Sequence, residues 1–254
     1  MTLRISAISL PSMNLHVPEQ QSDRQEYIRT LFDGIAGHYD FLNHLLSSGL
    51  DIWWRKRAIR LLEGFRPQTV LDIATGTADF AIEAARTLQA NIEGVDISAH
   101  MLAIGRTKVA RKGLSHLVSL SSGAAEALSF QEGSFDAVIV AFGVRNFADV
   151  QKGLREMHRV LKNNGHALIL EFSTPKTFPF NHLYSFYFRH ILPIIGGLVS
   201  RSRDSYEYLP KSVREFPDDT AFLELMRSAG FTDNRQVRFT FGIATAYLGL
   251  KAIH

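Results

Sequence analysis

Apolar segments and helical patterns alternate along the chain between residues 69 and 172. Five short runs of apolar and β-branched residues are predicted strands, over residues 69–73, 91–96, 116–121, 135–141 and 166–172. Such near-continuous hydrophobic runs are typical of parallel strands buried on both faces. Helical patterns separate them over residues 77–88, over 98–112 with Ser98 as N-cap, and over a stripe of Val150, Leu154, Met157 and Leu161. The βαβα order predicts a doubly wound sheet.

The last part of the chain breaks this order. A predicted helix over residues 219–229 ends at Gly230, and only Thr240, Phe241 and Gly242 separate the alternating segments 234–239 and 243–251. Two strands joined so closely pair antiparallel. A Rossmann-like α/β sheet of seven strands with the last one antiparallel is typical of class I S-adenosylmethionine-dependent methyltransferases.

Further segments flank this predicted core. We expect residues 1–22 to form a flexible N-terminal extension and residues 23–254 to form a single domain. Within that domain, residues 23–66 are predicted to form N-terminal helices, and residues 174–216 form an aromatic-rich helical insertion. Residues 191–199 are the most apolar stretch and are too short to span a bilayer. The sequence therefore predicts a protein that is soluble or lies on a membrane, and we expect it in the cytoplasm or at the inner face of the cytoplasmic membrane.

The amino-acid composition excludes several kinds of site and disfavours one class of substrate. The 254 residues include no cysteine, which excludes disulfides, zinc ribbons, iron–sulfur clusters and thiol nucleophiles. The histidines lack the spacing of metal ligands, so we expect no metal. The net charge of +3 is mildly positive, but the basic residues are dispersed and no Asn-Pro-Pro-aromatic motif follows the fourth strand. A nucleic-acid substrate is therefore disfavoured.

The turn after the first predicted strand is a candidate cofactor loop. Gly76 allows a tight turn and a close ligand approach, the helix that follows offers backbone N–H groups, and Thr77 adds a hydroxyl. Asp96 ends the second strand 20 residues later, where a carboxylate can accept both hydroxyls of a ribose. The alternatives are an ordinary packing turn and a helix-terminal charge beside Ser98.

Two cofactor classes use this arrangement. A dinucleotide requires three glycines to seat its diphosphate, whereas this loop has Ala78 at the third position. S-adenosyl-L-methionine carries no diphosphate, and Asp72 with the turn backbone suits its ammonium and carboxylate. The loop therefore matches S-adenosylmethionine better than NAD. An NAD-dependent oxidoreductase stays as the weaker alternative.

Three segments resemble the ubiquinone/menaquinone biosynthesis C-methyltransferases: residues 39–47 followed by Trp54, residues 141–147, and residues 159–173. The likeness extends from about residue 23 to the C-terminus and is strongest to the members that act in menaquinone biosynthesis. It implies methyl transfer from S-adenosylmethionine to a ring carbon of a reduced prenylated quinone, demethylmenaquinol in the first place. It also places Ile97, Ala124, Ala125 and Ala141 at the cofactor, beside the loop residues.

The chain departs from the family pattern at several positions. Leu42 replaces a methionine, Asp51 replaces a histidine, Ala78 replaces a glycine, and residues 163–164 replace a Pro-Gly pair. Ala124 stands where the family tends to place an Asp or Asn towards the adenine amino group. A non-catalytic protein that binds S-adenosylmethionine is therefore a second alternative.

The resemblance also implies how the reaction is assisted. A neutral hydroquinone carbon is a weak nucleophile, whereas its phenolate pushes charge onto the ring. Arg145, just past the fourth strand, is the predicted cation beside the phenol oxygen, with Asn146 as a hydrogen-bond partner. A surface charge and a turn residue are the ordinary interpretations of these two positions. The base that removes the proton stays unassigned, because an arginine remains protonated.

The insertion is the predicted substrate lid. Its aromatic side chains, with Arg201, Arg203, Lys211 and Arg214, favour contact with a polyprenyl chain and with the inner face of the cytoplasmic membrane. The alternative is a helix pair that packs in the core or across a homodimer.

Overall fold

The computed structural model describes residues 21–38, 44, 47, 49–186 and 211–253. The predicted extension over residues 1–22 lies almost entirely outside this range, as do Leu42, Arg201, Arg203 and the middle of the predicted lid.

Seven strands and seven numbered helices, with short 3-10 turns, form the described chain. The strands are β1 (Thr69–Ile73), β2 (Asn91–Asp96), β3 (Val118–Ser122), β4 (Phe135–Ala141), β5 (Leu161–Phe172), β6 (Thr232–Phe239) and β7 (Ala244–Leu250). The helices are α1 (Gln21–Ile35), α2 (Leu50–Ile59), α3 (Asp79–Leu88), α4 (Ala99–Arg111), α5 (Val150–Val160), α6 (Phe180–Phe186) and α7 (Thr220–Ser228). The 3-10 turns are Ala36–His38, Arg60–Phe65, Val144–Asn146 and Thr240–Gly242.

One sheet organises the molecule, with strand order β3-β2-β1-β4-β5-β7-β6. The first five strands are parallel, and β7 runs antiparallel to both β5 and β6. The predicted fold class is therefore confirmed, including the antiparallel last strand. The order reverses between β1 and β4, which is the switch point where open α/β sheets bind ligands.

Alternate residues of the central strands face two separate cores. In β4, Ala137 and Ile139 pack with α2 and α3, whereas Val138 and Val140 pack with α5 and α7. Because both faces are covered, the strands carry apolar residues at nearly every position. This burial explains why the hydrophobic runs locate β1, β2 and β4 correctly.

Several predicted boundaries were wrong; β6, for example, begins at Thr232 rather than residue 234. Three others have a local cause in the backbone. The helix after β1 begins at Asp79 rather than residue 77, because Ala78 has a left-handed φ of 67°. Leu161 leaves the helical stripe and opens β5, where it pairs with Phe135 ahead of a bulge. The third strand begins at Val118, because residues before it form a turn in which Val118 N donates to Leu114 O. In each case the local backbone ends the regular pattern.

The Asp136 carboxylate joins neighbouring segments by hydrogen bonds at the end of the sheet opposite the switch point. It accepts hydrogen bonds from Gln68 N at 3.0 Å, Thr69 N at 2.9 Å and Lys162 Nζ at 2.8 Å. Burial by itself would raise the pKa of Asp136. The hydrogen bonds from the Lys162 ammonium and the backbone donors outweigh burial and bring the pKa down to about 2. The ionised form is therefore bound more tightly in the folded chain than in the unfolded chain.

This pKa predicts a pH effect on stability. The contribution of Asp136 is complete above its unfolded pKa, near 4, and is lost as the pH falls towards 2. After allowance for partial solvent exposure, the loss is about 1–2 kcal/mol. Urea unfolding at pH 6 and pH 3 should show this extra loss for wild type and not for Asp136→Asn. Equal pH dependence of the two proteins would contradict it.

Candidate active site

A cleft opens at the carboxyl ends of β1, β2 and β4, at the switch point of the sheet. Open α/β sheets bind their ligands at this place. Six of the predicted site residues line it: Gly76, Asp96, Ile97, Ala125, Ala141 and Asn146. The other four predicted residues, Asp72, Thr77, Ala124 and Arg145, lie beside it without lining it.

The loop over residues 74–78 forms one wall of the cleft in an unusual backbone conformation. Ala74, Gly76 and Ala78 all have left-handed φ values, of 53°, 55° and 67°. Glycine adopts this conformation freely, whereas each alanine costs about 1–2 kcal/mol. Two hydrogen bonds hold the loop, from Thr75 N to Val95 O and from Ala78 N to Thr75 O. Ala74 and Ala78 therefore store strain in the loop.

Asp96 binds the glycine loop from the end of β2. Its Oδ2 accepts from Gly76 N and its Oδ1 accepts from Ser98 N, both at 2.8 Å. Each oxygen keeps a second lone pair, and the residue lines the cleft. Burial raises the pKa of Asp96, although the backbone donors at Ser98 and Gly76 favour the ionised form. The carboxylate therefore offers two oriented acceptors to a diol in the cleft.

Asp72 and Thr77 lie beneath the loop. Asp72 Oδ2 accepts from Thr75 Oγ1 at 2.6 Å, whereas buried Oδ1 makes no hydrogen bond of normal geometry within the described chain. Burial raises the pKa of Asp72 to about 7, and the nearby Asp96 charge adds to the shift. Thr77 is buried, and its hydroxyl accepts from Lys108 Nζ at 3.1 Å. Thr77 therefore supports the loop from behind rather than facing the cleft.

The cleft also has a roof that the sequence did not predict. Gln25, Ile28 and Phe32 of α1 line the side opposite the strands. Gln25 Nε2 donates to Glu126 Oε2 at 3.0 Å, and Ser98 Oγ donates to Asp33. The α1 helix is therefore attached to the loops after β2 and β3, which carry the predicted site residues Ile97, Ala124 and Ala125. The heptad-like pattern of α1 indicates an apolar face but does not identify what that face covers.

Glu126 is a second residue that sequence reasoning missed. It is 4% exposed and accepts from Ala148 N at 2.6 Å and Asp149 N at 3.3 Å, besides its bond to Gln25. It joins the loops after β3 and β4 to α1. Ala125 beside it lines the cleft, whereas the Ala124 carbonyl accepts from Ala127 N in a tight turn. The only sequence signal for Glu126 was its place beside the two alanines.

Arg145 is a buried ion-paired residue. Its Nη1 donates to Glu171 Oε1 and to Phe142 O, both at 2.6 Å, and its guanidinium lies 5.3 Å from the centre of the Phe172 ring. The side chains of Arg145 and Glu171 are 7% and 1% exposed. Glu171 therefore neutralises most of the Arg145 charge, and the role of Arg145 as the cation beside the phenol oxygen stays a prediction. Asn146 directs its side chain to the same Phe142 carbonyl and lines the cleft.

The described residues show neither a metal site nor a membrane-spanning helix. Among them, no group of three or more histidine and acidic side chains is arranged to hold a metal ion. None of the described helices combines the length and hydrophobicity that a membrane span needs.

Comparison with known proteins identifies the family. The profile described as the ubiE/COQ5 methyltransferase family matches residues 20–251. The chain belongs to the ubiE/COQ5 methyltransferase family. It is 42% identical over 245 residues to "Demethylmenaquinone methyltransferase" of Bacteroides fragilis, which covers 96% of this chain and all of that protein. It is 47% identical over 234 residues to "Ubiquinone/menaquinone biosynthesis C-methyltransferase UbiE" of Geobacter sulfurreducens, covering 91% of each chain.

A solved structure supports the fold of this ubiE/COQ5 methyltransferase. A S-adenosylmethionine-dependent methyltransferase of Thermotoga maritima, described as a possible histamine N-methyltransferase, superposes with a TM-score of 0.63 at 20% identity. The match covers 88% of this chain and 99% of that one. The cofactor of the ubiE/COQ5 methyltransferase is S-adenosyl-L-methionine. The groups of the cleft suit it: a carboxylate with two open lone pairs, an apolar wall and a glycine turn.

The close contact of two loops in the floor of the cleft allows a test. A Cβ atom on Gly143 would lie 2.7 Å from Ala74 Cβ, and both residues line the cleft. Gly143→Ala should therefore push the loops apart and weaken S-adenosylmethionine binding about tenfold, measured by calorimetry. Gly64→Ala is the matched control, because a Cβ there meets nothing within 4 Å. Equal affinities of the two variants would contradict the expected distortion.

Proposed function

We propose that this protein methylates a ring carbon of a reduced prenylated quinone, with demethylmenaquinol as the substrate and menaquinol as the product. The observation that carries this proposal is the 42% identity across the whole length of a relative named demethylmenaquinone methyltransferase. Retention of Asp96, Gly76 and the Arg145–Glu171 pair in ordered positions supports catalysis over a decayed cofactor-binding protein.

The chemical obstacle is the nucleophile. A phenol with a pKa near 10 is about 0.1% ionised at pH 7, which is a handicap of roughly 4 kcal/mol. S-adenosylmethionine supplies the electrophilic methyl group on its sulfonium. The protein has to orient the ring carbon, exclude water and make the phenol proton easy to remove.

We assign the cofactor to the lining of the cleft. Asp96 accepts from the ribose hydroxyls, and Ile97 and Ala125 contact the adenine. The Gly76 turn and Ala141 face the methionine part, and Asp72 Oδ1, which makes no hydrogen bond of normal geometry within the described chain, lies beneath that turn. These roles are supported by the positions of the side chains around the cleft.

We assign the acceptor ring to the side of the cleft formed by Asn146 and the 142–145 turn. Asn146 has an amide that can donate to a phenol oxygen, and it lines the cleft. Arg145 acts as a neutralised pair with Glu171, so it orders the turn and contributes a dipole rather than a full positive charge. We therefore propose Arg145 and Asn146 as the catalytic residues. We expect a different group to accept the phenol proton.

We further propose that the protein contacts an anionic membrane surface, where a prenylated substrate resides. Two exposed aromatic side chains lie against less exposed rings: the Trp53 ring lies 5.8 Å from that of buried Phe239, and Phe241 stacks on half-buried Phe180 at 3.6 Å. Trp53 is 50% exposed and Phe241 is 62% exposed. Exposed Lys56 and Arg57 follow on the next turn of α2. Such aromatic and basic side chains together favour the membrane interface.

A methyl-transfer assay tests the proposed function. The purified protein is incubated anaerobically with radiolabelled S-adenosylmethionine and a short-chain demethylmenaquinol, with the corresponding benzoquinol in parallel. Label in the naphthoquinol product supports the proposal, and label in the benzoquinol alone reassigns the substrate. Binding of S-adenosylmethionine without transfer to either quinol would contradict it.

Vesicle flotation tests the membrane contact. The wild type should bind vesicles of phosphatidylglycerol and phosphatidylethanolamine, less so in 500 mM salt and less so on phosphatidylcholine. Trp53→Ala should weaken binding, whereas Phe65→Ala, which removes an exposed ring at the opposite edge of the sheet, should not. Indifference of the wild type to anionic lipid would remove the proposal and leave the methyl-transfer activity unaffected.

A further inference from the structure

Two polar side chains line the cleft and have no role in the assignments above: Gln25 of α1 and Glu126 of the loop after β3. Gln25 Nε2 donates to Glu126 Oε2 at 3.0 Å. Glu126 is 4% exposed, and its hydrogen-bond partners within the described chain are neutral amides: the Gln25 side chain and the backbone N–H groups of Ala148 and Asp149. One wall of the cleft therefore contains a buried carboxylate that is bonded to the roof helix.

The hydrogen bonds of Glu126 leave one acceptor position open. A carboxylate accepts up to four hydrogen bonds, two at each oxygen. Oε1 accepts from Ala148 N at 2.6 Å and from Asp149 N at 3.3 Å, so both of its positions are taken. Among the described residues, Oε2 accepts from Gln25 alone. Gln25 Nε2 carries a second N–H besides the one it gives to Glu126. The pair therefore presents one acceptor and one donor side by side.

The position of Glu126 in the chain places this pair at the base end of the cleft. Glu126 directly follows Ala125, which we assign to the adenine. Asp96, which we assign to the ribose, pairs with Ser122 at the end of β3. Gly123 N then donates to Asp96 O at 3.1 Å, so the loop that leads to Glu126 begins beside the ribose position. A purine attached to that ribose extends along this loop towards the pair.

The edge of adenine is complementary to the pair. Its 6-amino group donates a hydrogen bond, and a ring nitrogen beside that group accepts one. Glutamine and asparagine side chains recognise adenine in nucleic acids by the same two hydrogen bonds. In this cleft the acceptor is Glu126 Oε2 and the donor is Gln25 Nε2. A 6-oxo purine has an oxygen in place of the amino group, and that oxygen would face the carboxylate with no proton between them.

We propose that Gln25 and Glu126 select the adenine base of the cofactor, with Glu126 Oε2 accepting from the 6-amino group and Gln25 Nε2 donating to the ring nitrogen beside it. This inference rests on the proposed function, because it uses the cofactor placement given there. Both side chains then contact the cofactor directly and determine its specificity. Because Gln25 belongs to α1, the bound base also holds this helix over the cleft.

Calorimetry with two homocysteine nucleosides tests the role of Glu126. S-adenosylhomocysteine carries the 6-amino group, and S-inosylhomocysteine carries a 6-oxo group in its place. The wild type should bind the adenosyl compound about 30-fold more tightly. Glu126→Gln should reduce this ratio to about threefold or less, because the new amide donates towards the 6-position while its oxygen still accepts from the backbone N–H groups. Glu132→Gln, at a 75% exposed position away from the cleft, is the matched control and should keep the wild-type ratio.

A variant of α1 tests the other half of the pair. Gln25→Leu removes the donor from a half-buried position of the helix and should weaken S-adenosylhomocysteine binding about tenfold. Gln131→Leu, which changes an exposed glutamine that does not line the cleft, should leave the affinity unchanged. Thermal unfolding establishes that each variant is folded.

NMR of the bound nucleoside observes the hydrogen bond itself. S-adenosylhomocysteine labelled with nitrogen-15 at the 6-amino group should show an amino proton resonance that moves downfield on binding to the wild type. The shift should be smaller with Glu126→Gln, because that variant has no carboxylate to accept the proton.

The outcomes separate this inference from the proposed function. A folded Glu126→Gln variant with the wild-type ratio of affinities overturns the inference, as does an amino resonance that does not move on binding to the wild type. If Glu126→Gln does not fold, Gln25→Leu decides, and an affinity equal to that of the wild type overturns the inference. The binding assays contain no quinol. Failure of the wild type to methylate either quinol therefore contradicts the proposed function, whereas the affinity ratio still tests the selection of the base.

Discussion

Arg145→Ala is expected to lower the free energy of unfolding by about 3–5 kcal/mol and to reduce turnover by at least 100-fold. The stability loss follows because Glu171 is 1% exposed and would be left as a buried charge without its ion-pair partner. The turnover loss follows because the same guanidinium binds Phe142 O and packs on Phe172, which orders the turn beside Asn146. Urea unfolding and kcat measure the two effects.

A double variant separates stability from catalysis. In Arg145→Met/Glu171→Gln both charges are absent, and the glutamine still accepts the bond that Glu171 takes from Phe172 N. Stability should return to within about 1–2 kcal/mol of wild type, because removing both partners costs far less than removing one. Turnover should stay low and S-adenosylmethionine affinity should stay near wild type, because Arg145 does not line the cleft. Recovery of full turnover would show that Arg145 has only a structural role.

The sequence predicts the central strands well because burial on both faces leaves a simple signal. The bounds of β1, β2 and β4 agree with the apolar runs exactly where helices cover both sides of the sheet. The errors lie where a single backbone angle decides, as at Ala78, where a left-handed φ delays the helix. A hydrophobic pattern has no information on such angles, because any apolar residue satisfies it.

The candidate site likewise contains residues that the sequence predicts and contacts that it does not. Gly76 and Asp96 were found because their spacing follows from a strand, a turn and a helix that are adjacent along the chain. The Arg145–Glu171 pair spans 26 residues and the Gln25–Glu126 bond spans 101, so neither contact leaves a local pattern. The roof formed by α1 was missed for this reason. Motif spacing therefore predicts the cleft residues that follow strands along the chain, such as Gly76 and Asp96. Long-range packing determines which charged and polar side chains are already bonded to a partner, as Arg145 is to Glu171.

Asp96→Ala is expected to weaken S-adenosylmethionine binding at least 100-fold while kcat at saturation changes only a few-fold. The carboxylate offers two charge-assisted acceptors to the ribose, each worth about 1.5–3 kcal/mol, and it also holds Gly76 N and Ser98 N. Calorimetric titration measures the affinity, and a thermal unfolding scan establishes that the variant is folded.

The pH dependence and a neighbouring variant make the Asp96 prediction specific. Burial raises the pKa of Asp96. The affinity for S-adenosylmethionine should therefore decline as the pH is lowered towards this raised pKa, because the protonated carboxyl can no longer accept from both hydroxyls. Asp96→Ala should lack this decline. Thr77→Val removes a buried hydroxyl that accepts from Lys108 behind the loop, and it should leave affinity within about threefold of wild type. A loss in Thr77→Val equal to that in Asp96→Ala would mean that the loop as a whole, rather than the Asp96 carboxylate, determines cofactor binding.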